Sequence, residues 1–313
     1  MSVQAQTNET VIAPVRVASG GRINLTPYLF ILPHLIFFAL FLAWPFFFGI
    51  FTSLFEFDFL RPERRPFVGL ENYISLFDPS SVQFRDFWRA MKNTGEFILW
   101  SVPPLVIVAV FLAVLLNGRF RGRGFFRMIF FAPYTLSVTA AAVIWWWIFQ
   151  PQGGIVNHLL DSLGIGGPNW LSHMPEAWIA ITIATVWWTI GFNTIIILAA
   201  LQDIPTSLYE AAAIDGAGAA RRFWHITLPL LKPVLVLVIT ITLIASANLF
   251  GQPYIMTAGG PTQQTEPIIF RIYIEGILRS QMGSAAAMSV VVAATLLIVT
   301  ALNFKFFGKS ETE

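Results

Sequence analysis

The residues with the most chemical character gather in one charged segment and on two apolar ones. The charged segment runs from Gln202 to Pro233 and holds Glu210, Asp215, Arg221, Arg222 and Lys232 around Ala211, Ala212, Ala213 and Gly216. These are residues for docking rather than bond breaking. Alanines leave a slim helix whose backbone can approach a partner closely, and the charges flank it. Pro205 suits a first helical turn, and Leu208 to Ile214 are good or acceptable helix formers. Gly216 and Gly218 stop that helix or let it turn sharply. Ala219 to Ile226 then predicts a second short helix, with Pro229 and Pro233 breaking the chain beyond it. The apolar segments carry a different set: Trp187, Trp188, Thr189, Phe192, Asn193 and Thr194 in one, and Thr240, Thr242, Ser246, Asn248 and Gln252 in the other. At about 100° per residue, Thr242, Ala245, Ser246, Asn248, Leu249 and Gln252 share one broad helical arc. Aromatic faces beside amides and hydroxyls can stack on C–H surfaces while exchanging hydrogen bonds.

Catalytic constellations are missing. His34, His158, His173 and His225 have no ligand spacing. There is no cysteine, which excludes disulfides, thiolate metal sites and cysteine nucleophiles. No His-Glu-x-x-His or Gly-x-Ser-x-Gly pattern occurs. Gly308-Lys309-Ser310 has the end of a phosphate-binding loop, but Asn303 stands where the pattern needs glycine, so it reads as a basic membrane-flanking tail. The sequence implies no metal, no cofactor and no catalytic residue.

These segments must be held by membrane helices. Of 313 residues, 56% are hydrophobic and 12% charged, against about 25% charged in soluble domains. Soluble enzymes and disordered chains are thereby excluded. Six stretches lack Asp, Glu, Lys and Arg: Ile23 to Phe55, Phe97 to Gly118, Met128 to Leu160, Ala177 to Gln202, Pro233 to Thr265 and Ser280 to Phe304. Each exceeds the roughly 20 apolar residues that cross a bilayer as a helix. The reading is an all-α membrane protein with six transmembrane helices, near 28–54, 94–116, 126–149, 177–201, 232–252 and 285–307. Placing both termini inside puts most of the basic residues inside, among them Arg119, Arg121, Arg123, Arg127, Arg221, Arg222 and Lys232. The first outer loop, with Arg61, Arg64, Arg65, Arg85, Arg89 and Lys92, goes against that rule. Residues 1–22 are polar and read as a disordered cytoplasmic head.

With the loop in place between the fourth and fifth spans, its letters carry a resemblance. Glu210-Ala211-Ala212, then Gly216, Ile226, Leu228-Pro229 and Pro233 resemble the EAA loop of ABC importer permeases at every spacing. Gly69-Leu-Glu-Asn-Tyr73, Gly153-Gly-Ile-Val-Asn157 and Met256-Thr-Ala-Gly-Gly-Pro-Thr262 are similar to the carbohydrate-type members, of the maltose and glycerol-phosphate kind.

The resemblance implies a type I ABC importer permease fold and a binding-protein-dependent sugar importer in a bacterial or archaeal plasma (inner) membrane, multi-pass with both termini cytoplasmic. It divides the chain into the head (1–22), the first helix and first periplasmic loop (23–90), a permease core (91–307) with the coupling loop at 202–233, and a cytoplasmic tail (308–313). Its implied partners are a second permease subunit in a heterodimer, a cytoplasmic ABC ATPase dimer, an extracytoplasmic sugar-binding protein and the lipid bilayer, with no nucleic acid. ATP hydrolysis falls to the partner, coupled through Glu210, Ala211, Ala212, Asp215, Gly216, Arg221 and Arg222. A solute path falls to Trp188, Phe192, Asn193, Thr242, Ser246, Asn248, Leu249 and Gln252. Ser246 and Leu249 stand where maltose-type members carry asparagine. The competing class is a secondary carrier or channel acting without an ATPase, for which Glu96 is the one candidate coupling acid. On the importer reading, Gly216→Pro or Glu210→Lys should leave the chain inserted yet separate uptake from ATP hydrolysis; unchanged solute uptake in either variant removes the coupling role.

Overall fold

The computed structural model describes residues 26–58, 60–61, 63, 65–118 and 120–307. The expected head at 1–22, the tail at 308–313, and Arg64 and Arg119 lie outside the described residues. The chain forms two compact units, Met1–Phe48 and Gly49–Glu313. The first helical stretch consists of α1 (Thr26–Phe38), a π turn at Ala39–Ala43 and α2 (Trp44–Thr52). The remaining helices are α3 (Glu71–Phe77), α4 (Val82–Asn117), α5 (Arg123–Phe131), α6 (Val138–Ile148), α7 (Ile155–Ser162), α8 (Glu176–Asp203), α9 (Thr206–Ile214), α10 (Ala219–Arg222), α11 (Leu228–Ala247), α12 (Gly251–Met256), α13 (Ile268–Tyr273) and α14 (Met282–Phe307). Among the described residues five helical stretches are long and apolar enough to cross a membrane, and the bent pair of the third charge-free run makes six.

Two expected spans take a different form. The third, read as one helix over 126–149, is broken. A 3-10 turn at Ala132–Thr135 separates α5 from α6, and the two halves bend by 100°. Pro133 supplies no backbone donor there. Ser137 then starts α6, its Oγ accepting from the Ala140 N–H at 3.2 Å, the side-chain oxygen serving as an N-cap. The fifth shows the opposite change. The expected break at Pro229 and Pro233 is absent, because α10 continues through a π turn at Phe223–Thr227 into α11. The wider turn brings the Leu228 N–H to the Phe223 carbonyl and accommodates Pro229 directly after it. One helical rod therefore runs from Ala219 to Ala247. The second span also begins earlier than 94, since α4 carries Arg85, Arg89 and Lys92 on a helical extension beyond the apolar run.

Packing centres on α4, α8 and α11. Leu105, Ala109, Leu112 and Leu116 of α4 meet Ile190, Ile197 and Leu201 of α8 and Leu231 and Val238 of α11. Further along α4, Phe97 joins Trp178, Ile181 and Ala184 of α8 with Leu249 and Met256. Polar pairs tie the same helices: Ser101 Oγ lies 3.1 Å from Ser246 Oγ, and Asn303 Nδ2 of α14 donates to Thr240 Oγ1 at 2.7 Å. Gly191 allows α8 to approach α5 closely: a Cβ there would lie 2.2 Å from the Phe130 carbonyl oxygen.

Two of the basic residues that looked misplaced in the first outer loop, Arg89 and Lys92, are paired, with Asp86 and Glu96, and Arg89 belongs to a larger buried set. Arg271 is 1% exposed. Its Nη2 lies 2.7 Å from Asp86 Oδ2 and 2.8 Å from Glu275 Oε2, and its Nη1 lies 3.7 Å from Glu266 Oε1. Arg89 Nη2 reaches Asp86 Oδ1 at 2.8 Å, and Arg279 Nη1 reaches Glu275 Oε2 at 3.3 Å. Three arginines and three acids thus balance, joining the start of α4 to the segment between α12 and α14. Burial pushes the Glu266 carboxyl above the usual carboxylate range, opposed by the nearby Arg271 guanidinium. Removing one member of such a buried set strands the others. Arg271→Met should lower stability by about 3–5 kcal/mol, whereas Arg279→Ala, half-exposed, should lose less than about 1 kcal/mol; thermal unfolding in detergent separates the two.

Candidate functional site

Thr185, Trp188, Thr189, Phe192 and Asn193 recur at helical spacing and so lie along one stripe of α8. Ile241, Thr242, Ala245 and Ser246 make the facing stripe of α11. Between them lies a cavity of about 380 Å³. All eight residues expected along a path line it: Trp188, Phe192, Asn193, Thr242, Ser246, Asn248, Leu249 and Gln252. Tyr134 and Val138 enter from the break between α5 and α6, and Phe97 and Leu105 from α4.

The break in the third span supplies what residue counting missed. Tyr134 stacks on Phe192 with ring centroids 4.9 Å apart and 16° between planes, and lies 6.4 Å from Trp188. Trp188 Nε1 donates to the Leu136 carbonyl at 3.1 Å in the same turn. A three-ring wall results, fixed at one end by a hydrogen bond. The only signal of it in the sequence is Pro133 next to Tyr134.

Polar groups stand among these apolar ones. Asn193 Nδ2 donates to Thr242 Oγ1 at 3.0 Å, so the pair both joins α8 to α11 and lines the cavity. Asn248 is different: its Nδ2 donates to the Ile244 carbonyl at 2.8 Å and closes the end of α11. That stop lets the chain turn through Leu249 and Phe250 into α12. Gly251 is required at the turn, since a Cβ there would lie 2.6 Å from Val138 Cγ2. The Gln252 side chain is buried and its amide makes no hydrogen bond among the described residues. Stacking rings together with a few amide and hydroxyl groups suit a hydroxyl-rich solute. No cluster among the described residues has the groups to hold a metal ion.

The expected coupling residues form a separate surface. Glu210, Ala211, Asp215, Gly216 and Arg221 are exposed, and Ala212 and Arg222 are half-buried. Gly216 has φ +76° with open space around it, so glycine is needed there for the backbone rather than for room. The Ala217 N–H donates to the Ala212 carbonyl at 2.8 Å across the bend. Tyr209 Oη lies 2.9 Å from Thr227 Oγ1, which braces α9 against the π turn. This tie joins the short helices to the rod that carries Thr242 and Ser246. Glu96, the one candidate for an ion-coupling acid, lies 3.5 Å from Lys92 Nζ, an i,i+4 pair on α4.

Residues 97–307 match the family described as binding-protein-dependent transport system inner membrane component. The probable ABC transporter permease protein YurN of Bacillus subtilis (strain 168) is 33% identical over 295 residues, covering 92% of this chain and 98% of that protein. The sn-glycerol-3-phosphate transport system permease protein UgpA of Escherichia coli O157:H7 is 35% identical over 281 residues, covering 90% and 93%. The sulfoquinovosyl glycerol transport system permease protein SmoG of Agrobacterium fabrum is 35% identical over 282 residues, covering 90% of each. Among solved structures, a chain of a bacterial alginate ABC transporter in complex with alginate pentasaccharide-bound periplasmic protein aligns with a TM-score of 0.76 at 24% identity, covering 89% of this chain and 92% of that one. That likeness is one of fold.

An aromatic pair contributes about 0.5–1.5 kcal/mol beyond the area it buries. Tyr134→Ala should therefore raise the solute concentration for half-maximal uptake roughly 3- to 10-fold, with Tyr134→Phe close to the parent; uptake by membrane vesicles measures both.

Proposed function

The chain belongs to the binding-protein-dependent transport system inner membrane component family, and from that premise we propose that it forms half of the translocation pathway of an ATP-driven sugar importer. Its solute is an oligosaccharide or related polyol derivative. The observation that carries this reading is the junction of the two sites. The cavity residues Thr242 and Ser246 stand on the same unbroken helical rod, Ala219 to Ala247, that begins at the coupling segment.

The mechanism follows from that rod. A second permease subunit completes the path, and a cytoplasmic ATPase dimer receives α9 and the exposed face around Glu210, Ala211 and Gly216. When ATP binding closes the ATPase dimer, α9 is displaced. The Tyr209–Thr227 contact and the bend at Gly216 hand that displacement to the rod as one body. The Asn193–Thr242 and Ser101–Ser246 pairs tie the rod to α8 and α4, so the cavity walls shift together. The cavity alternates between the two sides, and an extracytoplasmic binding protein delivers the solute to its outer mouth. Both termini lie in the cytoplasm. This chain's groups solvate and stack against the solute, and ATP hydrolysis belongs to the partner.

Reconstitution tests the whole reading. The chain should co-purify with a second permease and an ATPase, and sugar uptake into liposomes should need all of them with ATP and the binding protein. Uptake by the isolated chain alone overturns it in favour of a self-sufficient carrier.

A further inference from the structure

The helix α5 carries two opposed faces. At about 100° per residue, Arg123 and Arg127 fall within about 40° of each other, and Phe125, Met128 and Ile129 fall on the opposite side. Those three apolar side chains are 58, 61 and 46% exposed. A helix of nine residues is about 13 Å long, well short of a bilayer crossing. Its far end is docked: Gly191 of α8 packs on the Phe130 carbonyl, and α6 leaves at 100°. Its near end and its apolar face are not covered by the described residues.

The near end is strongly basic. Arg119, Arg121, Arg123 and Arg127 stand close together, and no Asp or Glu occurs between Glu96 and Asp161. The side chains of Arg121 and Arg123 are exposed and make no hydrogen bond or ion pair among the described residues. Arg127 is committed elsewhere: its Nη2 donates to the Leu116 carbonyl at 3.0 Å and ties α5 to the end of α4. Gly122, at φ +88°, turns the chain between the two free arginines. It offers no side-chain cap, so the first N–H groups of α5 stay open beside them. Phe120, ahead of that turn, meets Phe126 with ring centroids 6.0 Å apart, which holds the basic loop against the helix.

We propose that α5 lies at the boundary between hydrocarbon and headgroups and binds the phosphate of an anionic phospholipid through Arg121 and Arg123. A face that needs hydrocarbon, back to back with one that needs an anion, fits that boundary and neither side of it. Guanidinium forks pair with phosphate oxygens in bidentate fashion. Open N–H groups at a helix start add to the pull on an anion. A soluble phosphate would satisfy the arginines but leave Phe125, Met128 and Ile129 in water, whereas the acyl chains of a lipid cover them. An apolar protein surface would cover those side chains but bring no anion to the arginines.

Site-specific quenching tests it. The chain has no cysteine, so Met128→Cys places a bimane fluorophore at one known point on the apolar face. The full chain, with the subunits that co-purify with it, is reconstituted in phosphatidylcholine vesicles that contain increasing amounts of nitroxide-chain phosphatidylglycerol or nitroxide-chain phosphatidylcholine. The same preparation without Met128→Cys is the blank. Phosphatidylglycerol should reach half-maximal quenching at a mole fraction about fivefold lower than phosphatidylcholine. R121Q/R123Q should bring the two midpoints together, and R121K/R123K should keep them apart. Equal midpoints in the parent, or a difference that R121Q/R123Q retains, overturns the proposal. Quenching by neither lipid shows the face to be covered by protein and overturns it too. If inorganic phosphate removes the difference where sodium chloride of equal ionic strength does not, the arginines serve a free anion and the lipid assignment fails.

Discussion

In the hydrocarbon core of a bilayer no water replaces a lost backbone hydrogen bond. Every interruption of a helix at that depth must be covered by protein, and this chain places its interruptions where they serve a purpose. The break at Ala132–Thr135 lies against α8, with Gly191 in contact with the Phe130 carbonyl and Trp188 donating to the Leu136 carbonyl. The end of α11 is closed by the Asn248 amide. Both irregular stretches border the same cavity, so the exposed backbone and the cavity coincide. Elsewhere α4, α8 and α14 run unbroken, α4 passing through Pro103 and Pro104 as a single element.

Scarcity of charge shapes the outer face as well. Lysine and arginine normally favour the inner side of a membrane protein, and the first outer loop departs from that pattern. Arg89, Arg271 and Arg279 are held by Asp86, Glu266 and Glu275, so their positive charge is cancelled where it stands.

Much of this was legible in the sequence, for a physical reason. A charge-free run of helix length has one stable fate in a membrane, and the coupling segment carries its own turn chemistry in Gly216. Trp188, Phe192, Asn193, Thr242 and Ser246 were readable because helical spacing puts each group on one stripe. What escaped depends on geometry between distant residues. Run length is blind to a bend inside the run, so the third span read as straight although Pro133 and Ser137 both stand in it. Pro229 read as a break because it lacks the N–H an α-helix uses, whereas here it follows directly on a π turn and the helix continues. Arg271 lies far along the chain from Asp86, and nothing local in either announces the other. Tyr134 became part of the site only once the bend had turned it toward Phe192.

The π turn at Phe223–Thr227 sets the phase of everything beyond it. Each residue of a helix advances the side chains by about 100°, and a π turn accommodates one residue more than an α turn does. Thr242 and Ser246 face the cavity because that additional residue has been counted. The segment around Gly216 and the segment that lines the cavity are therefore related by number rather than by sequence. Side chains in the turn can be exchanged with little effect on aim, while a single deletion there would rotate the whole cavity-facing arc by about 100°. The evolutionary latitude of this stretch should accordingly lie in its composition, and its length should be held constant.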